Sequence, residues 1–153
     1  MSIVRKLINN NALHGKNVRD WLYVEDHTKA IDMVQEQERI FKTYNIGGHN
    51  EKQNIEIINI ISEALQEMLP ADDPRRAYVT TDLITYVEDR EGHDRRYAIA
   101  PDKIKKEIGW ESETMFKEGI RKTIAWFFEH EEWMKNVTSG DYQKYYEEMY
   151  NKR

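Results

Sequence analysis

Apolar residues recur at helical spacing in four stretches of this chain, and the β-prone runs between them are only four to eight residues long. Ala30, Ile31 and Val34 stand at i, i+1, i+4. Ile57, Ile58, Ile61, Ala64, Leu65 and Met68 extend the same rhythm. Ile104 and Ile108 lie one turn apart, and Phe116, Ile120, Ile124 and Phe127/Phe128 form a continuous stripe. In a helix each of these sets falls on one face. Only seven Gly and three Pro interrupt the chain. The runs 17–24, 43–46 and 83–87 are rich in branched and aromatic residues and read as strands. Strands alternating with helices predict an α/β fold that is helix-rich, with few short strands.

Local signals set the expected boundaries. Residues 2–9 suit a helix and 9–15 a loop. Glu25 and Asp26 open a helix running to about Phe41, because carboxylates complement the positive N-terminal end of the dipole. Gly47-Gly48 turns the chain after strand 43–46. Asn54 caps the next helix, which Pro70 ends. Residues 71–77 read as an exposed loop, and 89–96 as a charged loop around Gly92. Pro101 fits the first turn of a short helix that Gly109 stops. A longer helix spans 114–130, and the Tyr-rich tail 139–153 suits a final one.

Composition excludes several classes. The net charge of −5 argues against a generic nucleic-acid binder. Cysteine is absent, so there is no disulfide framework and no thiolate metal site. No apolar run approaches the roughly 20 residues that span a bilayer, and residues 1–11 lack a secretory signal. A cytoplasmic chain without membrane or nucleic-acid partners is expected. The sequence holds no G-x-G-x-x-G, no phosphate-cradling G-x-x-x-x-G-K-[ST] and no H-E-x-x-H. The five His show no metal-ligand spacing. His27 and His130 read as structural or surface groups near helix ends. Lys103, Lys105 and Lys106 read as the wet face of their helix.

Two constellations carry chemistry. In Asn17-Val-Arg-Asp-Trp21, Arg19 enters an otherwise apolar strand. It either closes the strand end against Asp20 or is held for a phosphate, which a guanidinium grips through two parallel bonds. In Asp89-Arg-Glu-Gly-His-Asp-Arg-Arg96, Arg90, His93, Arg95 and Arg96 crowd one loop after a strand, where sites of α/β proteins concentrate. Two such cationic strand ends suit a diphosphate.

These residues carry a family resemblance. Asn17-Val-Arg-Asp-Trp-Leu-Tyr-Val-Glu-Asp-His27, Thr43-Tyr-Asn-Ile-Gly-Gly-His-Asn-Glu51, Asp82-Leu-Ile-Thr-Tyr-Val87, Gly92-His-Asp-Arg-Arg-Tyr97, Ile104 through Trp110 and Gly119-Ile-Arg-Lys-Thr123 resemble dTDP-glucose 4,6-dehydratases. These are extended short-chain dehydrogenase/reductases acting on nucleotide sugars. The resemblance covers nearly the whole chain but only the C-terminal half of such an enzyme. It implies the helix-rich substrate-binding portion, residues 1–153 as one incomplete domain, without the N-terminal NAD-binding Rossmann domain. By resemblance Arg19 is a diphosphate-binding arginine, Asn54 contacts the nucleotide sugar, Arg90 and His93 form a second phosphate-side pair, and Tyr150 is a further contact.

The family oxidises glucose C4 with NAD, eliminates water across C5–C6 and returns the hydride to C6. Its Tyr-x-x-x-Lys pair and Thr-Asp-Glu group are missing: Tyr23 meets His27, Tyr86 meets Arg90, Tyr142 meets Tyr146, and Thr81-Asp82 precedes Leu83. No catalytic, cofactor-binding or metal residue is therefore expected here. NAD belongs to the parent family, and the chain alone is expected to be inactive. Three departures stand out. Segment 7–16 is shortened, Glu91 replaces a common Pro, and Ala100 replaces a common Asp that would cap the helix at Pro101. The resemblance also places strand 43–46 and the Ala30/Ile31/Val34 face against the Rossmann sheet. Exposing them predicts local rearrangement, a homo-oligomer, or pairing with a separate Rossmann-domain chain. The alternative reading is thus a non-catalytic interaction module.

Overall fold

A strand needs partners for its backbone groups, and that requirement trims every β-prone run here. The computed structural model describes residues 11–12, 15–37, 41–84, 86–87, 93–138 and 140. In order, its elements are β1 (Asn11–Ala12), β2 (Val18–Asp20), α1 (Val24–Glu36), β3 (Glu51–Gln53), α2 (Asn54–Met68), 3-10 turns at Pro74–Tyr78 and Thr81–Leu83, β4 (Tyr86–Val87), α3 (Asp102–Ile108), α4 (Phe116–Glu129) and α5 (Glu131–Thr138). The expected helix at 2–9 and tail helix at 139–153 lie outside the described residues, Gly140 apart.

Two small ladders form. β1 pairs with β4 in parallel. β2 pairs with β3 antiparallel in the register Val18–Gln53, Arg19–Lys52, Asp20–Glu51. The 17–24 and 83–87 runs thus yield shorter strands than expected, and β1 arises inside the expected 9–15 loop. Turn-forming composition expresses a local preference, which pairing with a distant segment overrides. The expected strand at 43–46 is absent. Side chains hold the segment instead of a ladder: the Thr43 carbonyl accepts from Lys103 Nζ at 2.8 Å, and the Tyr44 side chain donates its OH to Glu107 at 2.9 Å.

The chain divides into two compact units, Met1–Ile120 and Arg121–Arg153. In the first, one core joins α1 to α3. Ala30 and Ile104 are fully buried with Ile108 and Trp110, and Leu22, Met33, Val34, Tyr44 and Ile46 pack against them. The Ala30/Val34 side of α1 is therefore covered by the chain's own α3, not left bare as expected. Only Ile31 of that set is exposed, at 50%. Asp26 lies buried instead of simply facing the dipole. It accepts hydrogen bonds from Thr114 N (2.8 Å), Glu113 N (3.2 Å) and Thr114 Oγ1 (3.2 Å), tying α1 to the approach to α4.

Helix α2 buries Ile57, Ile58, Ile61, Ala64 and Leu65 as its spacing predicts. Its cap is Gln53, in a reciprocal box with Glu56; Asn54 is the first helical residue, which corrects its expected capping role. Residues 74–78 are a 3-10 turn folded back on the end of α2 and not a free loop. Arg76 donates to Leu69 O (2.9 Å) and to Gln66 O, while Gln66 Nε2 donates to Val79 O (2.7 Å). A cation thus meets helix-terminal carbonyls in a last turn that has no basic residue. At α3, Pro101 stands just before the first helical residue and Gly109 adopts φ 79°, the left-handed stop expected of it. With Ala at 100, no side chain caps α3.

In the second unit, His130 Nδ1 donates to Trp126 O at 2.7 Å. Its ring stacks on Trp126 at 4.2 Å, and Trp133 meets Trp126 edge-on at 5.1 Å. His130 is thus an exposed residue with structural contacts to α4.

Two outcomes follow from this packing. Ile104→Ala removes a fully buried side chain, so denaturant unfolding is expected to show a loss of about 2–5 kcal/mol. Asp73 accepts from Arg75 N, Nε and Nη2, and the Arg75 guanidinium holds its carboxyl below the ordinary carboxylate value. A depressed folded value means the contribution is present above the unfolded pKa and lost as pH falls through the folded one. Amides of 75–78 are expected to lose protection from hydrogen exchange below about pH 4, and Asp73→Asn removes that pH dependence.

Candidate functional site

β2 is held on both edges. Along one lies β3. Along the other, Val18 N donates to Arg95 O at 2.8 Å and Tyr97 N donates to Val18 O at 3.1 Å, with Val18 and Arg96 bridged in parallel. Just before the strand, Asn17 is buried. Its carbonyl accepts from Asn54 N at 3.0 Å and its amide donates to Asp94 O at 3.4 Å. Segments 17–20, 51–54 and 93–97 therefore converge.

Strand alternation turns Arg19 and Asp20 to opposite faces. Arg19 Nη1 donates to Val18 O at 2.7 Å; Nη2 donates to His93 Nε2 at 2.8 Å and to Asp94 O at 3.1 Å. Arginine has no acceptor, so His93 Nε2 is the accepting atom. The guanidinium also stands 4.4 Å from the Tyr97 ring centroid, and Tyr97 OH donates to the Asp94 carboxylate. A planar cation with a fixed orientation beside an imidazole suits a phosphate oxygen pair.

Asp20 does not pair with Arg19, so that reading of the strand end falls. Its Oδ2 accepts from Gly48 N at 2.8 Å and its Oδ1 from Asn50 N at 2.9 Å. Buried Asn50 in turn donates to Gly48 O (3.0 Å) and accepts from Phe116 N (3.3 Å). The glycines are needed here for close approach. A Cβ on Gly48 would overlap the Trp21 carbonyl oxygen, and one on Gly47 would come within 2.7 Å of Asp20 Oδ2. The left-handed residue of this loop is His49, at φ 52°.

Of the residues singled out from sequence, Arg19 and His93 are in contact, and Asn54 is tied to the same strand through Asn17. Arg90 and Tyr150 lie outside the described residues. Arg96 is bound by Glu51 at 2.7 and 3.0 Å. Sequence reasoning passed over Tyr97, Asp94 and the Asp20 clamp. Tyr97 ended a quoted motif, and its aromatic ring beside three arginines and a histidine was the available signal. Among the described residues no group of His, Asp or Glu could hold a metal ion, and no helix is long and apolar enough to cross a membrane.

Comparison with known proteins defines the class. The family model for GDP-mannose 4,6 dehydratase matches residues 6–123, and the chain belongs to that family. Within it, the chain is 46% identical to dTDP-glucose 4,6-dehydratase of Shigella flexneri over 94% of its own length and 41% of that protein. Its fold superposes on the Bacillus anthracis dTDP-glucose 4,6-dehydratase in complex with NAD at a TM-score of 0.68. That match has 38% identity over 86% of this chain and 40% of that one. A Streptomyces venezuelae dTDP-glucose 4,6-dehydratase gives the same TM-score at 30% identity, over 80% of this chain and 34% of that one. The architecture is thus that of extended short-chain dehydrogenase/reductase dehydratases, and the chain spans about two fifths of the relatives it matches.

Because the atom opposing a Gly48 Cβ is backbone, Gly48→Ala is expected to destabilise the protein by about 1–3 kcal/mol. Thermal unfolding alongside Gly109→Ala, whose Cβ meets open space, separates steric overlap from backbone strain.

Proposed function

We propose that this chain is the nucleotide-sugar-binding portion of a dTDP-glucose 4,6-dehydratase-like protein. Residues 1–153 act as one incomplete domain whose ligand is dTDP-glucose. The carrying observation is the Arg19 guanidinium, fixed by His93, Asp94 O, Val18 O and the Tyr97 ring. Arg19 and His93 grip the diphosphate, joined by Arg90. Asn54 contacts the nucleotide sugar from the first turn of α2, and Tyr150 adds a contact from the tail. Charge-assisted bonds of this kind are about twice as strong as neutral ones.

The residues present do not fit NAD. The sequence has no G-x-G-x-x-G for its pyrophosphate, and among the described residues the parallel ladder is two residues long. Dehydration in the parent family also needs the Tyr-x-x-x-Lys and Thr-Asp-Glu groups that this sequence lacks. The chain's role is binding, and no redox step is assigned to it.

A second reading has its own support. Val24, Ile31, Tyr97, Ile99 and Phe41 are exposed at 64, 50, 50, 40 and 102%. Scattered apolar exposure is common, but Val24 and Ile31 stand seven residues apart on one face of α1, and such exposure favours an interaction module. On this reading the chain pairs with itself or with a separate Rossmann-domain chain. Sedimentation that shows only monomer at every concentration, alone and with such a chain, removes it.

Titration calorimetry tests the leading reading. Thymidine diphosphate is expected to bind, and Arg19→Ala to weaken binding by about tenfold or more. Equal affinity of the variant overturns the assignment. Incubation with dTDP-glucose and NAD is expected to give no 4-keto-6-deoxy product.

A further inference from the structure

The register of the β2–β3 ladder sets Arg19 directly across from Lys52. Side chains of directly opposed residues share one face of a ladder, with Cβ atoms about 4.5–5.5 Å apart. Two cations in that position repel, and a ladder of three pairs has little stability to spare. A neighbouring carboxylate would relieve the pair, but among the described residues none does. Glu51 is turned to the other face and bound to Arg96, and Asp20 is bound to the Gly48 and Asn50 amides. Among the described residues, Lys52 makes no ion pair.

What the two cations do instead is informative. Arg19 lies over the Tyr97 ring at 4.4 Å, and Lys52 over the Phe116 ring at 6.0 Å. Each is drawn aside to an aromatic face, which attracts a cation through its quadrupole at modest strength. An anion placed over the ladder between them would satisfy both charges and cancel the repulsion. Lysine's flexible stem lets the ammonium swing inward from Phe116, whereas Arg19 is already fixed.

We propose that Lys52 is a phosphate-binding residue, a further cation that closes on a diphosphate from the strand opposite Arg19. This rests on the Arg19 site being the diphosphate site. In the free chain Lys52 rests on Phe116; in the bound chain it sits against the phosphate oxygens that Arg19 and His93 leave open.

The test uses Lys52→Gln, Lys52→Arg and Arg19→Ala in the full chain, with thymidine diphosphate as the probe. Lys52→Gln is expected to weaken binding about tenfold. Its ligand-free Tm is expected to equal or exceed that of the wild type, because a like-charge pair has been removed. Lys52→Arg keeps most of the affinity. Loss of affinity together with a lower ligand-free Tm marks a structural role and overturns the proposal. So does unchanged affinity in Lys52→Gln; if Arg19→Ala still weakens binding, Arg19 stands and Lys52 alone falls. No binding by the wild type overturns the diphosphate site and Lys52 with it.

Discussion

A three-residue strand with partners on both edges is what the candidate site depends on. β2 takes β3 on one side and segment 95–97 on the other. Holding both edges leaves the strand no freedom to slip, and a slip of one residue would exchange Arg19 for Asp20 on the site face. The alternation that sends Arg19 to His93 also sends Asp20 to the Gly48 and Asn50 amides. One face recognises and the other anchors, and neither residue needs its neighbour as an ion-pair partner.

Short ladders leave many backbone groups to be satisfied, and side chains satisfy them. Asp20 and Asn50 hold the 47–50 loop, Asp26 takes the 113–114 amides, Lys103 takes Thr43 O, and Arg76 and Gln66 close the end of α2. A buried backbone group without a partner costs as much as a lost hydrogen bond. The irregular parts of this fold are therefore set by individual polar side chains. Spare ladder hydrogen bonds do not set them.

The acidic total conceals how the charges are distributed. Lys29 pairs with Glu113, Lys105 with Glu111, Arg75 with Asp73 and Arg96 with Glu51. Such exposed pairs add little stability, but they consume cations. Among the described residues Arg19 has no carboxylate partner and is held by an imidazole, two carbonyls and a ring. A guanidinium kept in place without being neutralised retains its charge for an external anion.

The sequence by itself determined helices α1 to α4 and the family, but not α5 at Glu131–Thr138. The apolar periodicity of α2, α3 and α4, the Gly109 stop and the burial of Ile104 and Ile108 were all legible, because helical signals are local. The Arg19 and His93 candidates were legible too, through residue type and motif. The tertiary structure decided which backbone groups pair. It formed β1 within an expected loop, left 43–46 without a ladder, gave the α2 cap to Gln53, and folded α3 over Ala30. It also set Lys52 opposite Arg19 and Tyr97 beneath it. Strand pairing and cross-strand neighbours join residues far apart in the chain, and no local pattern encodes which distant segment will supply the partner.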